Sequence, residues 1–118
     1  METPDLTSSR FWEGVENHIA IDPLRSGDAD GLAEFAKEHL GARGWCFFQT
    51  SGSEGLPKWV GLTKECFLVS ARAVNAFFNV TTDDRWLGAL PVHHVGGFAI
   101  HARCFASGSS AHRMEGDW

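Results

Sequence analysis

At 118 residues with a net charge of −5, the chain is one domain's worth of sequence, and its ten scattered Lys and Arg residues exclude the clustered positive charge that nucleic-acid binding needs. No run approaches the roughly 18 apolar residues of a membrane span, and the opening Met1-Glu2-Thr3-Pro4-Asp5 lacks the basic and apolar regions of a signal peptide. Cys46, Cys66 and Cys104 are odd in number, widely spaced and set among apolar neighbours, so they read as buried free thiols of a reducing compartment, and a soluble cytoplasmic protein is expected.

Residues 1–27 mix Ser, Pro, Asp and Gly with isolated apolar positions and read as an irregular leader, with a short helix over Arg10 to His18. Residues 28–118 form the domain proper. Leu32, Phe35, Ala36 and Leu40 recur at helical spacing with Glu34, Lys37 and Glu38 between them, which predicts an amphipathic helix of about three turns. Ser26 or Asp28 supplies its N-cap, and Gly41 or Gly44 its end. Trp45 to Thr50 is a compact apolar run of the kind found in a strand buried on both faces.

A nine-residue loop follows, Thr50-Ser51-Gly52-Ser53-Glu54-Gly55-Leu56-Pro57-Lys58, which crowds hydroxyls, two glycines and one lysine together. Glycine lets successive N–H groups turn toward one anion, the hydroxyls add donors and Lys58 adds a full charge, so the composition suits a polyphosphate. The loop is neither G-x-x-x-x-G-K-[ST] nor G-x-G-x-x-G, and a plain Ser/Gly/Pro connection is the competing reading.

Beyond the loop, Lys58 to Leu62 reads as extended, and Thr63 as the N-cap of a helix that runs to about Phe78. Phe67, Ala71, Val74 and Phe78 form its apolar stripe, widened by Leu68, Val69 and Phe77. Arg85 to Leu90 is the next strand. Strand, helix and strand in succession predict a parallel crossover that brings the loop and His94 to one C-terminal sheet edge. Gly96 to Ser107 reads as a helix apolar on nearly all sides, and Ser109 to Met114 as the start of a further strand. Cys104, His101 and His94 invite a metal reading, but no C-x-x-C or H-E-x-x-H supports it, and no metal site is expected.

The loop resembles the phosphate-binding signature of the adenylate-forming (AMP-binding, acyl-CoA synthetase) superfamily, T-S-G-[ST]-T-G-x-P-K-G. Thr50, Ser51, Gly52, Ser53, Gly55, Pro57 and Lys58 match, Leu56 takes the free position, and Glu54 and Trp59 depart where Thr and Gly are usual. Leu90-Pro91-Val92-His93-His94-Val95-Gly96-Gly97 resembles the L-P-L-F-H-x-x-G segment of the same superfamily, with His94 on its histidine and His93 in place of the aromatic. Within the superfamily the short leader and the second segment look most like the o-succinylbenzoate-CoA ligases of menaquinone synthesis.

The resemblance covers roughly residues 45 to 110. It implies an α/β fold that is part of the large N-terminal domain of an adenylate-forming enzyme, with parallel strands and crossover helices. It also implies that the complete enzyme joins a small-molecule carboxylate to AMP with loss of pyrophosphate, then passes the acyl group to coenzyme A. ATP and Mg²⁺ would be held by Thr50, Ser51, Gly52, Ser53, Glu54, Gly55 and Lys58, while His94 would serve the acyl side. Glu54 either points to solvent or meets the phosphates through Mg²⁺, and solvent is the expectation because like charges repel.

The family's adenine, ribose and catalytic-lysine segments have no counterpart here. The expectation is therefore an incomplete domain that needs the missing remainder of the enzyme as its partner and is inactive alone. The alternative is a truncated or degenerate module that binds a nucleotide or a protein without catalysis. A flavodoxin-like domain holding a phosphate-bearing cofactor is a third reading, disfavoured by the second motif.

Overall fold

The computed structural model describes residues 4–23, 29–50 and 58–114. The first helix, α1 (Ser9–Trp12), is capped by the Ser8 hydroxyl and stops well short of the predicted His18. His18 instead opens β1 (His18–Ile19), which runs parallel to β2 (Trp45–Thr50) with His18 opposite Cys46 and Ile19 opposite Phe47. Asn17 explains the change from helix to strand. Its side-chain amide donates to the Gly41 carbonyl, its oxygen accepts from the Trp45 N–H, and it thereby stitches the leader to the entrance of β2.

The predicted three-turn helix is α2 (Ala29–Phe35) running on as a π-helical turn, Ala36–Leu40, closed by a Gly41 N–H to Ala36 carbonyl bond of 2.8 Å. Of its expected stripe Ala36 is buried, Leu32 and Leu40 are half-buried, and Phe35 is exposed against the His39 ring. The candidate caps Ser26 and Asp28 lie outside the described residues.

In β2 the consecutive residues Cys46, Phe47 and Phe48 are all buried, so both faces are covered as expected. Its second neighbour is β3 (Lys58–Thr63), antiparallel, from Trp45 opposite Thr63 to Thr50 opposite Lys58. This corrects the predicted crossover. β1 and β3 occupy the two edges of β2, leaving no place for β4 (Arg85–Gly88) beside it. The short connection after β2 makes a hairpin the natural pairing. A parallel crossover is present one unit later: β4 pairs with β5 (Ser110–Arg113) across the helix α4 (Val95–Ser107). The architecture is α/β with parallel strands and a crossover helix, in two small sheets.

The long helix α3 (Lys64–Phe78) starts where predicted, with the Thr63 hydroxyl accepting from the Cys66 N–H, and ends at Asn79 in the left-handed region. Phe67, Leu68 and Ala71 face the core, whereas Val69, Phe77 and Phe78 are exposed, so the apolar stripe is narrower than its sequence suggests. The sequence pattern also misses Lys64. It is 3% exposed, donates from Nζ to the Phe11 carbonyl at 2.7 Å, and sits 4.1 Å from the Phe11 ring centroid. Burial holds its ammonium below the usual lysine range.

α3 and α4 pack with the β1–β2 face around Trp12, Cys46, Phe48, Phe67 and Phe98. Trp12 and Ala20, both from the leader, belong to this core, and the Trp12 indole donates to the Leu6 carbonyl at 2.8 Å. Two of the three thiols are buried as expected. Burial pushes Cys46 up to about 12 and raises Cys104, while Cys66 lies on the outer face of α3 and is exposed.

His18 stacks on Phe98 at 5.5 Å, and burial, with Lys64 nearby, lowers its pKa; burial alone lowers that of His101. Unfolded, both imidazoles take up protons near the ordinary value of 6.5, while in the folded chain they stay neutral to lower pH. The unfolded chain therefore binds more protons in that window, and stability falls as pH drops from about 6.5 toward the folded values. Thermal unfolding should show a melting temperature that is level above neutrality and declines below it. A His18→Phe variant should decline less steeply, and an identical slope would assign the loss to other groups.

Candidate functional site

β2 delivers Thr50 and β3 receives Lys58 at directly opposed positions, with the Thr50 hydroxyl donating to the Lys58 carbonyl at 3.3 Å. Ser51, Gly52, Ser53, Glu54, Gly55, Leu56 and Pro57 lie outside the described residues, but both ends of their loop are thus anchored on one antiparallel pair. Lys58 is exposed at the mouth of this hairpin. The departure at Trp59 has a structural account. It stands in regular β3 opposite Gln49, half-buried, where the backbone makes no demand for glycine.

His94 is the N-cap residue of α4. Its φ of −94° and ψ of 140° are extended, its N–H donates to the Pro91 carbonyl, and its carbonyl accepts from the Phe98 N–H. The imidazole makes no capping bond and is exposed, with its ring 4.7 Å from that of His93. Gly97 explains the spacing of the motif. A Cβ built there would lie 2.1 Å from the Pro91 carbonyl oxygen and 2.5 Å from that of Leu90, so only glycine lets α4 begin flush against the Leu90-Pro91 turn.

Two contacts relate the segments. Because β1 and β2 are parallel, their exits lie at the same sheet edge, the one from which the hairpin loop departs. Asp22, just past β1, places Oδ1 3.6 Å from His93 Nε2, and Phe48 on β2 packs on Phe98, one turn into α4, at 5.1 Å. Asp22 and His93 escaped the sequence reading as a pair. No periodicity connects an aspartate of the leader with a histidine some seventy positions later.

Among the described residues no three His, Cys, Asp or Glu side chains converge as a metal site, and no helix is long and apolar enough to cross a membrane. No protein-family model matches the chain. The 2-succinylbenzoate–CoA ligase of Bacillus subtilis (strain 168) is 32% identical over 98 residues, 80% of this chain and 20% of that protein. The medium-chain fatty-acid–CoA ligase of Escherichia coli (strain K12) is 47% identical over 49 residues, 42% of this chain and 9% of that protein. The solved structure of o-succinylbenzoate coenzyme A synthetase from Bacillus subtilis, in complex with ATP and magnesium ion, aligns with a TM-score of 0.54 at 30% identity, over 58% of this chain and 14% of that one. The chain thus spans a fifth or less of the length of these relatives. Sequence and fold agree in placing it with the adenylate-forming acyl-CoA ligases, as a counterpart of part of their large N-terminal domain.

Proposed function

We propose that the chain supplies the pyrophosphate side of an ATP-dependent acid–CoA ligase that converts a carboxylate to its acyl adenylate and then to a CoA thioester. The observation that carries this reading is the hairpin. Thr50 and Lys58 face each other, so the hydroxyl- and glycine-rich loop is tethered at both ends with an exposed lysine at its mouth. Negative charge builds on the leaving pyrophosphate as the acyl carboxylate attacks the α-phosphorus. Donors from Thr50, Ser51, Gly52, Ser53 and Gly55, together with the Lys58 ammonium, are of the kind that stabilises it. Mg²⁺ would accompany the nucleotide, as in the B. subtilis structure that holds ATP and magnesium ion. Its chemistry is charge neutralisation on the phosphates.

His94, exposed at the start of α4, suits a role on the acyl side. The acid is o-succinylbenzoate and the setting menaquinone synthesis, a reading supported by the B. subtilis relative. Three free cysteines fit a cytoplasmic protein.

The test is a hybrid ligase in which residues 45–107 of this chain replace their counterpart in the B. subtilis enzyme. A folded hybrid should form the thioester from o-succinylbenzoate, ATP, Mg²⁺ and coenzyme A. Lys58→Ala in it should lower kcat/KM for ATP about 10- to 150-fold, the equivalent of one charge-assisted hydrogen bond of roughly 1.5–3 kcal/mol. A folded hybrid that binds ATP but makes no thioester would instead favour a non-catalytic nucleotide-binding module.

A further inference from the structure

We propose that Asp22 is a positioning residue for His94, acting through the ring of His93. Asp22 lies three residues past the end of β1, and the Ala20 N–H between them donates to the Phe47 carbonyl at 2.9 Å, so the backbone leaves from a fixed strand. His93 and Asp22 side chains are each 20% exposed and approach to 3.6 Å between Nε2 and Oδ1. That separation is too long for a hydrogen bond and short enough for an electrostatic contact partly shielded from solvent. His93 in turn lays its ring 4.7 Å from that of His94 at an interplanar angle of 37°.

His94 gets no orientation from its own helix, because its imidazole makes no capping bond. The Asp22–His93 pair therefore braces a side chain that would otherwise rotate freely among staggered wells. A phenylalanine at position 93 would keep a ring beside His94 and lose the tether to the leader strand that holds it in place. Histidine there joins the two. The use of this brace in catalysis rests on the acyl-side reading of His94; the brace itself is a property of this chain and is read independently.

The experiment is NMR of the ¹³C,¹⁵N-labelled chain. The native protein should show a ring-to-ring NOE between His93 and His94. Asp22→Asn should cut it to about half or less as the rings redistribute over their rotamers, with the core signals of Phe98 and Trp12 unmoved. His93→Phe, which keeps an aromatic ring and removes the contact with Asp22, should weaken the NOE between the rings at positions 93 and 94 to the same degree. The double variant should then add nothing, because both changes break one chain of contacts.

An unchanged NOE in either single variant would overturn the proposal, as would losses that simply add in the double variant. Should Asp22→Asn fail to fold, His93→Phe decides alone. A hybrid ligase that failed to form thioester would leave this result standing, and a rigid His94 in the variants would leave the ligase reading standing.

Discussion

Gly97→Ala should be among the most destabilising single substitutions in this chain, although it adds only one methyl group. The new Cβ would meet the Pro91 carbonyl oxygen at 2.1 Å and that of Leu90 at 2.5 Å, both backbone atoms, and Pro91 has a φ fixed by its ring. Neither side can yield by turning a side chain, so the start of α4 must lift from the turn. Overpacking against atoms that cannot relax costs about 3 kcal/mol or more, a large share of the roughly 5–15 kcal/mol that holds a domain folded. At about 4–8 °C per kcal/mol for a domain of this size, the melting temperature should fall by some 12 °C or more. Gly96→Ala is the control. Its Cβ would meet only the tip of Leu90, at 3.1 Å, and the helix gains from the change, so stability should hold or rise slightly. Equal losses at the two positions would contradict the close approach that the H-x-x-G spacing serves.

Phe98→Ala should cost about 3–5 kcal/mol, the usual range for emptying a phenylalanine site that cannot collapse. Phe98 is fully buried, and its ring centroid lies 5.0–6.0 Å from those of Phe67, Phe48, Trp12, His18 and Phe11. These rings come from α1, β1, β2 and α3, so one cavity would loosen every element around the site. Phe77→Ala, on the same scale of side-chain volume but 78% exposed, should change stability by no more than about 0.5 kcal/mol. Denaturant unfolding of the two variants side by side measures the difference. A Phe98→Ala chain as stable as the native one would remove the central packing claim.

The elements most legible in the sequence were those whose signals are local. Thr63 as a cap and the apolar run of β2 each act within a few residues, and both appear as read. What escaped depends on distant partners. His18 and Trp12 look like parts of an irregular leader until β2 offers an edge and the core offers a place for the indole. Lys64 looks like a surface charge until Phe11 supplies both a carbonyl and a ring. The crossover joins β4 to β5 rather than β2 to β4, because β3 takes the antiparallel place beside β2 and nothing local in the extended segment after the loop signals that pairing. Of the candidate site, Thr50, Lys58 and His94 have definite places at strand and helix ends, whereas the Asp22–His93 pair needed coordinates.

The measurement that bears most directly on the account is ³¹P NMR of Mg-ATP titrated with the 118-residue chain. The hairpin loop between Thr50 and Lys58 should shift and broaden the β- and γ-phosphate resonances more than the α-phosphate, and Lys58→Ala should largely abolish the effect. Phosphate resonances that stay unperturbed by a folded chain, or that respond equally well in Lys58→Ala, would contradict the assignment of this loop to the pyrophosphate side of an adenylate-forming site.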